Sequence, residues 1–308
     1  MNQLGDLLFS LPVLSAARKE WPEKTIYCFA RPDHIPLLAV CGFADRAIPK
    51  RKTGLPGTVR MALELRGEKI DKGIFFSESP ESLLTGFSCG IKERVGFSGA
   101  SLSFLLTKTV ERSGVPSLAN NKNLGLAAGL KDIPDDYLGL VKVPAESSLE
   151  TAAWLKENGI DAAKLVVIAP GASRRRTEKY WDENKWKELM ASLIAAGLSP
   201  VVTGSPREKA ALAGLADGLG GKVKVFTASS GILSLAALFQ KAKLFVGIDS
   251  GAMHLAASLG TKVVALFGPT DPGQVGPMPL KNNVVINNKF MSAISTEEVW
   301  QKVSELTA

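Results

Sequence analysis

Apolar and polar positions follow a regular pattern along the second half of the chain. Short apolar runs each end in small, polar or glycine-rich residues, and the segment after each turn spaces its apolar residues as an amphipathic helix does. This pattern predicts a parallel α/β sheet whose faces are covered by helices. The five predicted strands are 165–169, 200–203, 223–226, 243–248 and 263–267.

The turns after these strands are the first candidates for function. In an open parallel sheet the carboxyl ends of the strands lie at one edge, where backbone N–H groups and helix N-termini converge. Small residues such as Gly171, Ala172 and Ser173, which follow the first of these strands, let the backbone approach a diphosphate closely. The sequence therefore predicts a nucleotide-sized crevice at this edge.

The first half shows a less regular pattern of the same kind, so a second α/β domain is the economical interpretation. A helix is predicted from Leu7 to about Trp21. The predicted strands lie near 25–30, 72–77 and 94–97.

The length of 308 residues also favours two domains of about 150 residues each, because single hydrophobic cores rarely grow further. Pro144 and a neighbouring Ser/Glu cluster indicate a linker around 140–150. We therefore predict one domain at 1–145 and another at 146–308. A last helix, near 295–306, could pack on either of them.

Composition narrows the class of protein. Hydrophobic residues make up 45% of the chain and charged residues 22%, which is ordinary for a soluble globular protein. Three cysteines without a CxxC spacing argue against a disulfide framework and a thiolate metal site, and favour the cytoplasm. No apolar run reaches the ~18 residues that span a bilayer, and the first residues lack a signal-peptide pattern, so we expect neither membrane insertion nor export.

The formal net charge of +7 favours anionic partners, such as a nucleotide diphosphate, a phosphorylated glycolipid or an acidic membrane surface. Solubility alone explains the charge equally well. Nucleic acid is not expected as a partner, because no zinc-finger spacing or aromatic-rich RNA-binding signature accompanies the basic residues.

The strongest local signal lies between a predicted buried strand and an alanine-rich helix, and it reads Asp249-Ser250-Gly251-Ala252-Met253-His254. Asp249 and Ser250 would stand at the helix start, where free N–H groups accept an anion, and His254 would lie one turn further along. This geometry suggests a clamp for a diphosphate or a ribose. A helix cap and a packed histidine explain the same spacing, so the segment alone leaves both interpretations open.

Five short motifs occur along the chain: Gly5-Asp6 with Leu11-Pro12, Pro170-Gly171-Ala172-Ser173, Lys179-Tyr180-Trp181, Asp249 to His254, and Phe267-Gly268-Pro269-Thr270. In order and spacing they resemble the motifs of the ADP-heptose:lipopolysaccharide heptosyltransferases, which form glycosyltransferase family nine. The resemblance implies an α/β fold of GT-B type, in which two Rossmann-like domains with parallel sheets face a central cleft. It also implies that the N-terminal domain mainly holds the acceptor and the C-terminal domain the nucleotide-sugar.

The reaction that this resemblance implies is an inverting transfer of heptose from ADP-heptose to a lipopolysaccharide core acceptor. The implied partners are the nucleotide-sugar and an anionic lipopolysaccharide core or lipid A, with peripheral contact at the cytoplasmic face of the inner membrane as a further expectation. The nucleotide-sugar is a substrate, and neither a cofactor nor a metal is implied. Such a displacement needs a base for the acceptor hydroxyl and positive groups or dipoles for the departing diphosphate.

The resemblance also implies which residues form the site. Asp6, preceded by Gly5, matches the proposed catalytic base, although the same position would cap a helix that starts at Leu7. Lys179 matches a lysine that pairs with donor phosphate or sugar oxygens, and Glu208 matches an acidic contact to ribose hydroxyls. A solvated loop lysine and an exposed first-turn glutamate are the alternatives. The other implied substrate-binding residues are Gly171, Ala172, Ser173, Asp249, Ser250, Gly251 and His254.

Two further features concern the ends of these motifs: a run of arginines before Lys179, and a departure from the family pattern before Gly5. Arg174, Arg175 and Arg176 precede Lys179, and we hypothesise that at least one of them faces a phosphate. The family normally has an apolar strand before the Gly-Asp pair, where this sequence has residues 1–4. We therefore expect a misplaced or truncated start rather than the natural loss of a central strand.

Two other functions stay open at this point. One is the transfer or epimerisation of another nucleotide-sugar by a protein of the same two-domain fold. The other is a non-catalytic nucleotide-binding module. A dehydrogenase is disfavoured, because no GxGxxG opens a βαβ unit with an acidic residue about 20 residues further on. Serine or metal hydrolysis also lacks support, since two histidines, His34 and His254, cannot supply the usual clusters.

Overall fold

The chain divides into two compact units, residues 1–136 and 137–308. The structure is a computed structural model, and it describes residues 3–50, 54–171, 176–227 and 231–308. The segment 137–145 belongs to the second unit, because Tyr137 is hydrogen-bonded to His254 and the Gly139 N–H donates to the Ser258 carbonyl at 2.9 Å. The domain boundary expected from the sequence, between 145 and 146, lies downstream of this division.

The first unit alternates short strands with helices. Its strands are β1 (Tyr27–Ala30), β2 (Arg46–Pro49), β3 (Lys72–Phe75), β4 (Glu93–Phe97) and β5 (Lys108–Val110). Its helices are α1 (Leu4–Glu20), α2 (Ile35–Cys41), α3 (Gly54–Arg66), α4 (Pro80–Ser88) and α5 (Ser117–Ala127). The strands form two parallel sheets, β1-β2 and β3-β4-β5. The three strands predicted in this half are confirmed as β1, β3 and β4.

Helix α1 begins at Leu4, so the predicted start at Leu7 is wrong. The first turn closes earlier because the Gln3 N–H donates to the Asp6 carboxylate at 3.0 Å. Beyond this turn the helix is buried along most of its length, for example at Leu8 and Leu11. A helix with so little exposed surface is part of the core rather than an amphipathic cover.

A large apolar cavity lies between the two sheets of the first unit. Strands β1 and β3 are the end strands of their sheets, and both line this cavity, whose volume is about 720 Å³. Val13 and Ala17 of α1 and Met61 and Leu65 of α3 also line it. Lys24 and Asp71, whose side chains are largely exposed, also border it, so the cavity opens to solvent.

The second unit is built on one parallel sheet. Its strands are β6 (Leu165–Ala169), β7 (Ser199–Gly204), β8 (Lys224–Thr227), β9 (Leu244–Ile248), β10 (Val263–Phe267) and β11 (Asn283–Asn287). Their order in the sheet is β11-β10-β9-β6-β7-β8. The five strands predicted in this half are confirmed as β6 to β10, within one residue at each end.

Helices cover both faces of this sheet, and every residue of β6, β9 and β10 is buried. The helices are α6 (Ala145–Glu157), α7 (Glu183–Ala195), α8 (Lys209–Ala216), α9 (Ile232–Lys241), α10 (Gly251–Ser258), α11 (Pro272–Val275) and α12 (Thr296–Thr307). Because α6 begins at Ala145, directly after Pro144, the second half of the predicted 140–150 linker is helical instead.

The last helix, α12, packs on the second unit. Ser295 caps it, since its Oγ accepts a hydrogen bond from the Glu298 N–H at 3.1 Å. Val299 and Val303 of this helix are fully buried in the same core cluster as Trp186 of α7. No helix within the described residues combines the length and apolar character needed to cross a membrane.

Candidate functional site

The carboxyl edge of the second sheet brings four turns together. Strands β10, β9, β6 and β7 are neighbours in the sheet and run parallel, so the residues that follow them share one edge. Gly171 follows β6, Gly204 ends β7, Asp249 follows β9 and Thr270 follows β10. These positions define the candidate site.

A buried ion pair lies at the centre of this edge. The Lys179 ammonium donates a short hydrogen bond to Oδ2 of Asp249, and the two side chains are 13% and 9% exposed. The Thr270 hydroxyl donates to the same Oδ2 at 2.8 Å. A carboxylate removed from water needs such partners, because an unpaired buried charge is costly. Lys179 keeps further N–H donors for a ligand, since an ammonium has three.

Helix α10 starts directly after Asp249, the acidic member of this ion pair. Ser250 is the N-cap, and its Oγ accepts a hydrogen bond from the Met253 N–H at 3.5 Å. Gly251 is the first helical residue. The first N–H groups of a helix are donors that can bind an anion, as the sequence predicts for this position.

His254 lies inside the second unit, with 2% of its surface exposed. Its Nδ1 is hydrogen-bonded to the Tyr137 hydroxyl at 2.9 Å, and the oxygen of that hydroxyl accepts from the Met278 N–H at 2.9 Å. Burial lowers the pKa of His254 to about 4, although the nearby Asp249 carboxylate acts in the opposite direction. The imidazole is therefore neutral at neutral pH.

This buried histidine should make stability depend on pH. Its pKa is lowered on folding from the usual 6.5 to about 4, so the unfolded chain binds more protons in that interval. The stabilisation is fully present above about pH 6.5 and is lost as the pH falls towards 4. We expect His254→Gln, which cannot titrate, to show a weaker decline in the free energy of unfolding between pH 7 and 4.5, measured by urea denaturation. Identical slopes for the two proteins would contradict this expectation.

Glu208 lies against the first of these turns. Its Oε2 accepts hydrogen bonds from the Ser205 N–H at 2.8 Å and from the Ser205 hydroxyl at 2.5 Å. A Cβ atom at Gly171 would lie 2.7 Å from Oε1 of this carboxylate, and one at Gly204 would lie 3.2 Å from Oε2. The glycines at the ends of two neighbouring strands therefore leave the space that the Glu208 carboxylate occupies.

Part of the predicted phosphate-binding turn, and two of the three arginines after it, lie outside the described residues. These residues are Ala172, Ser173, Arg174 and Arg175. The next residue, Arg176, is exposed, and its Nε donates to the Glu178 carboxylate at 2.6 Å. The arginine hypothesis therefore stays a prediction.

Gly5 and Asp6 belong to the first unit and lie in the first turn of α1. Asp6 is exposed, and its Oδ2 accepts the hydrogen bond from the Gln3 N–H. The alternative in which Asp6 is the N-cap of a helix from Leu7 is wrong, because the N-cap is Gln3 and Asp6 is the third helical residue.

Two residues of this site had no predicted role. Thr270 belongs to a motif quoted above, but its bond to Asp249 depends on β9 and β10 being neighbours in the sheet. Tyr137 lies 117 positions from His254 along the chain, and no spacing rule links them. In the described part of the chain, no group of three or more His, Cys, Asp or Glu side chains is placed to hold a metal ion.

Known proteins resemble this chain over its whole length. The model of glycosyltransferase family 9 (heptosyltransferase) matches residues 58–303. Lipopolysaccharide heptosyltransferase 3 of Escherichia coli K12 is 32% identical, and the match covers 99% of this chain and 96% of that protein.

Two solved structures share its fold. The family 9 glycosyl transferase from Veillonella parvula has a TM-score of 0.87 at 20% identity, covering 99% of this chain and 94% of that one. The E. coli heptosyltransferase WaaC with ADP has a TM-score of 0.79 at 20% identity, covering 99% and 100%. The chain therefore belongs to glycosyltransferase family 9, the heptosyltransferases, and is a glycosyltransferase with the GT-B fold.

Proposed function

We propose that this glycosyltransferase transfers heptose from ADP-heptose to a lipopolysaccharide core acceptor with inversion at the anomeric carbon. The observation that carries the proposal is the buried Lys179–Asp249 pair beside the start of α10, at the carboxyl edge of the second sheet. Such an edge suits a nucleotide diphosphate, and a relative of similar fold was solved with ADP. The matched curated relative is a lipopolysaccharide heptosyltransferase.

The second unit is proposed to bind the nucleotide-sugar. The Asp249 carboxylate, which also accepts a hydrogen bond from the Thr270 hydroxyl, holds the Lys179 ammonium in place, so that the remaining N–H donors of Lys179 can meet a diphosphate oxygen. Ser250 and Gly251 present the first N–H groups of α10 to the same charge. The Glu208 carboxylate would accept hydrogen bonds from ribose hydroxyls, and the neutral His254 would support the helix that carries these donors.

The first unit is proposed to supply the base. The Asp6 carboxylate takes the proton from the acceptor hydroxyl while that oxygen attacks the anomeric carbon. The bond from that carbon to the diphosphate oxygen breaks, and ADP leaves with the electron pair. Lys179 and the N–H groups of α10 stabilise the charge that develops on the leaving group. An anionic lipopolysaccharide core suits a chain of net charge +7, whereas contact with the membrane surface stays a prediction.

One assay tests donor, acceptor and cofactor together. The protein is incubated with ADP-heptose and a panel of truncated lipopolysaccharides, with and without EDTA, and both ADP release and product mass are measured. We expect ADP release only when an acceptor is present, and the same rate with EDTA, because the proposed scheme uses no metal.

The other outcomes of this assay each contradict a part of the proposal. Conversion of the nucleotide-sugar without an acceptor would indicate epimerisation. Product from another nucleotide-sugar alone would indicate a different donor. ADP binding in calorimetry without any turnover would indicate a nucleotide-binding module that is not catalytic.

A further inference from the structure

Residues 137–139 run along helix α10 and are hydrogen-bonded to it at two points. The Tyr137 hydroxyl is 2.9 Å from Nδ1 of His254, the fourth residue of the helix. The Gly139 N–H donates at 2.9 Å to the carbonyl of Ser258, the last residue of the helix. Since Tyr137 is the first residue of the second unit, the chain enters this unit alongside α10.

The Tyr137 side chain connects three parts of the second unit. Its ring is fully buried and meets the His254 imidazole edge to face, with the ring centroids 6.1 Å apart. Its hydroxyl oxygen also accepts a hydrogen bond from the Met278 N–H at 2.9 Å, and Met278 lies in the segment between α11 and β11. One hydroxyl thus links the start of the unit, α10 and the segment that leads into β11.

The elements joined by this hydroxyl also meet at the candidate site. Ser250, which caps α10, directly follows Asp249, and the Thr270 hydroxyl donates to the Asp249 carboxylate from the chain that continues to Met278. Helix α10 and the chain after β10 are therefore connected twice, once at Asp249 and once at Tyr137. Such a double connection suits a binding site, because its donors must be held to within about 0.5 Å of their productive positions.

The geometry points to Tyr137 as a positioning residue for the nucleotide diphosphate. Its hydroxyl accepts from the Met278 N–H and donates to Nδ1 of His254, so the imidazole is held in the tautomer that carries its proton on Nε2. Through these two bonds Tyr137 keeps the first N–H groups of α10 where they can bind the diphosphate. This role rests on the proposed function, in which that end of α10 binds the donor.

The chemistry of the three groups determines the direction of each hydrogen bond. A backbone N–H can only donate, so the hydroxyl oxygen accepts from Met278. The hydroxyl has one proton to donate, and a neutral imidazole has one nitrogen that accepts. Burial lowers the pKa of His254 to about 4, so the imidazole is neutral at pH 7 and can accept from Tyr137.

Packing alone does not require this hydroxyl. A phenylalanine would fill the same space around the ring, and a hydroxyl away from water is unfavourable unless its hydrogen bonds are made. The function of the oxygen at Tyr137 therefore lies in the two bonds that it makes, to α10 and to the segment before β11.

The first test reads the tautomer of His254 by nitrogen NMR at pH 7. The chain has two histidines, so the signals that disappear in His254→Gln are those of His254. We expect a protonated Nε2 and an unprotonated Nδ1 in the unmodified protein, and a mixture of both tautomers in Tyr137→Phe. Tyr27→Phe is the matched control, because it removes a hydroxyl that bonds to Glu68 in the first unit, and it should leave the tautomer unchanged.

The second test measures ADP binding by calorimetry and the KM for the acceptor. In Tyr137→Phe we expect the dissociation constant for ADP to rise about 5- to 20-fold, with one site per chain and an acceptor KM within about twofold of the unmodified value. A loss of folded protein would lower the number of sites instead of the affinity. Tyr27→Phe should bind ADP as the unmodified protein does.

Three results would overturn the positioning role. They are a protonated Nδ1 in the unmodified protein, an unchanged tautomer in Tyr137→Phe, and an unchanged ADP affinity in Tyr137→Phe. The first of them needs no variant, so it tests the role even if Tyr137→Phe does not fold. An unmodified protein that binds no ADP would overturn the proposed donor site itself, and the role of Tyr137 with it.

Discussion

Asp6→Asn is expected to lower turnover about 10²- to 10⁴-fold while the affinity for ADP stays within about twofold of the unmodified protein. The loss follows from removing the proposed base, because an amide cannot take the proton of the acceptor hydroxyl. The amide oxygen can still accept the hydrogen bond from the Gln3 N–H, so the first turn of α1 should remain intact. ADP release gives the rate, and calorimetry gives the affinity.

The matched control for this change is Asp135→Asn. Asp135 is an exposed carboxylate of the same unit, paired at the surface with Lys122. We expect this variant to keep full turnover, because exposed ion pairs contribute little. If Asp6→Asn also kept its turnover, Asp6 would not be the base. If it lost ADP affinity in proportion to turnover, the carboxylate would act in donor binding instead.

Lys179→Met is expected to have two large effects. The dissociation constant for ADP should rise about 10- to 100-fold, because a charge-assisted hydrogen bond to the diphosphate is lost. The free energy of unfolding should fall by about 3–5 kcal/mol, because the Asp249 carboxylate, with 9% of its side chain exposed, loses its cationic partner. Calorimetry with ADP and urea denaturation measure the two effects separately.

A second substitution distinguishes the two roles of this lysine. In the double variant Lys179→Met with Asp249→Asn, the uncompensated charge is gone, so part of the stability should return while the ADP affinity stays low. Lys164→Met is the control, since Lys164 precedes β6 at the opposite edge of the sheet and is exposed. Recovery of affinity in the double variant would show that Lys179 serves only to neutralise Asp249.

The second sheet could be predicted closely because of how its strands are buried. Strands β6, β9 and β10 are inaccessible on both faces, so their sequences are continuous apolar runs with clear ends. Strand β11 has asparagine at both ends and is largely half-buried, and β2 and β5 are short and partly exposed. Their apolar patterns are too weak to separate them from loops.

The candidate site could also be predicted only in part. The motifs of the second half could be placed in the segments that follow predicted strands, but the partner of each side chain depends on the order of strands in the sheet. Lys179 reaches Asp249, 70 positions away, because β9 lies directly beside β6. Tyr137 lies ahead of the predicted 140–150 linker, in the part of the chain that the sequence assigns to the first domain, and only the folded chain brings it to His254.

The contact between Glu208 and Gly171 bears on how this protein can change during evolution. Even one added methyl group at Gly171 would meet the Glu208 carboxylate at 2.7 Å, so alanine is tolerated there only if the acid moves or shortens. The acid is held by two hydrogen bonds from Ser205, which oppose such a movement. Positions 171, 205 and 208 should therefore covary among relatives. A substitution at one of them should occur mainly together with a substitution at another.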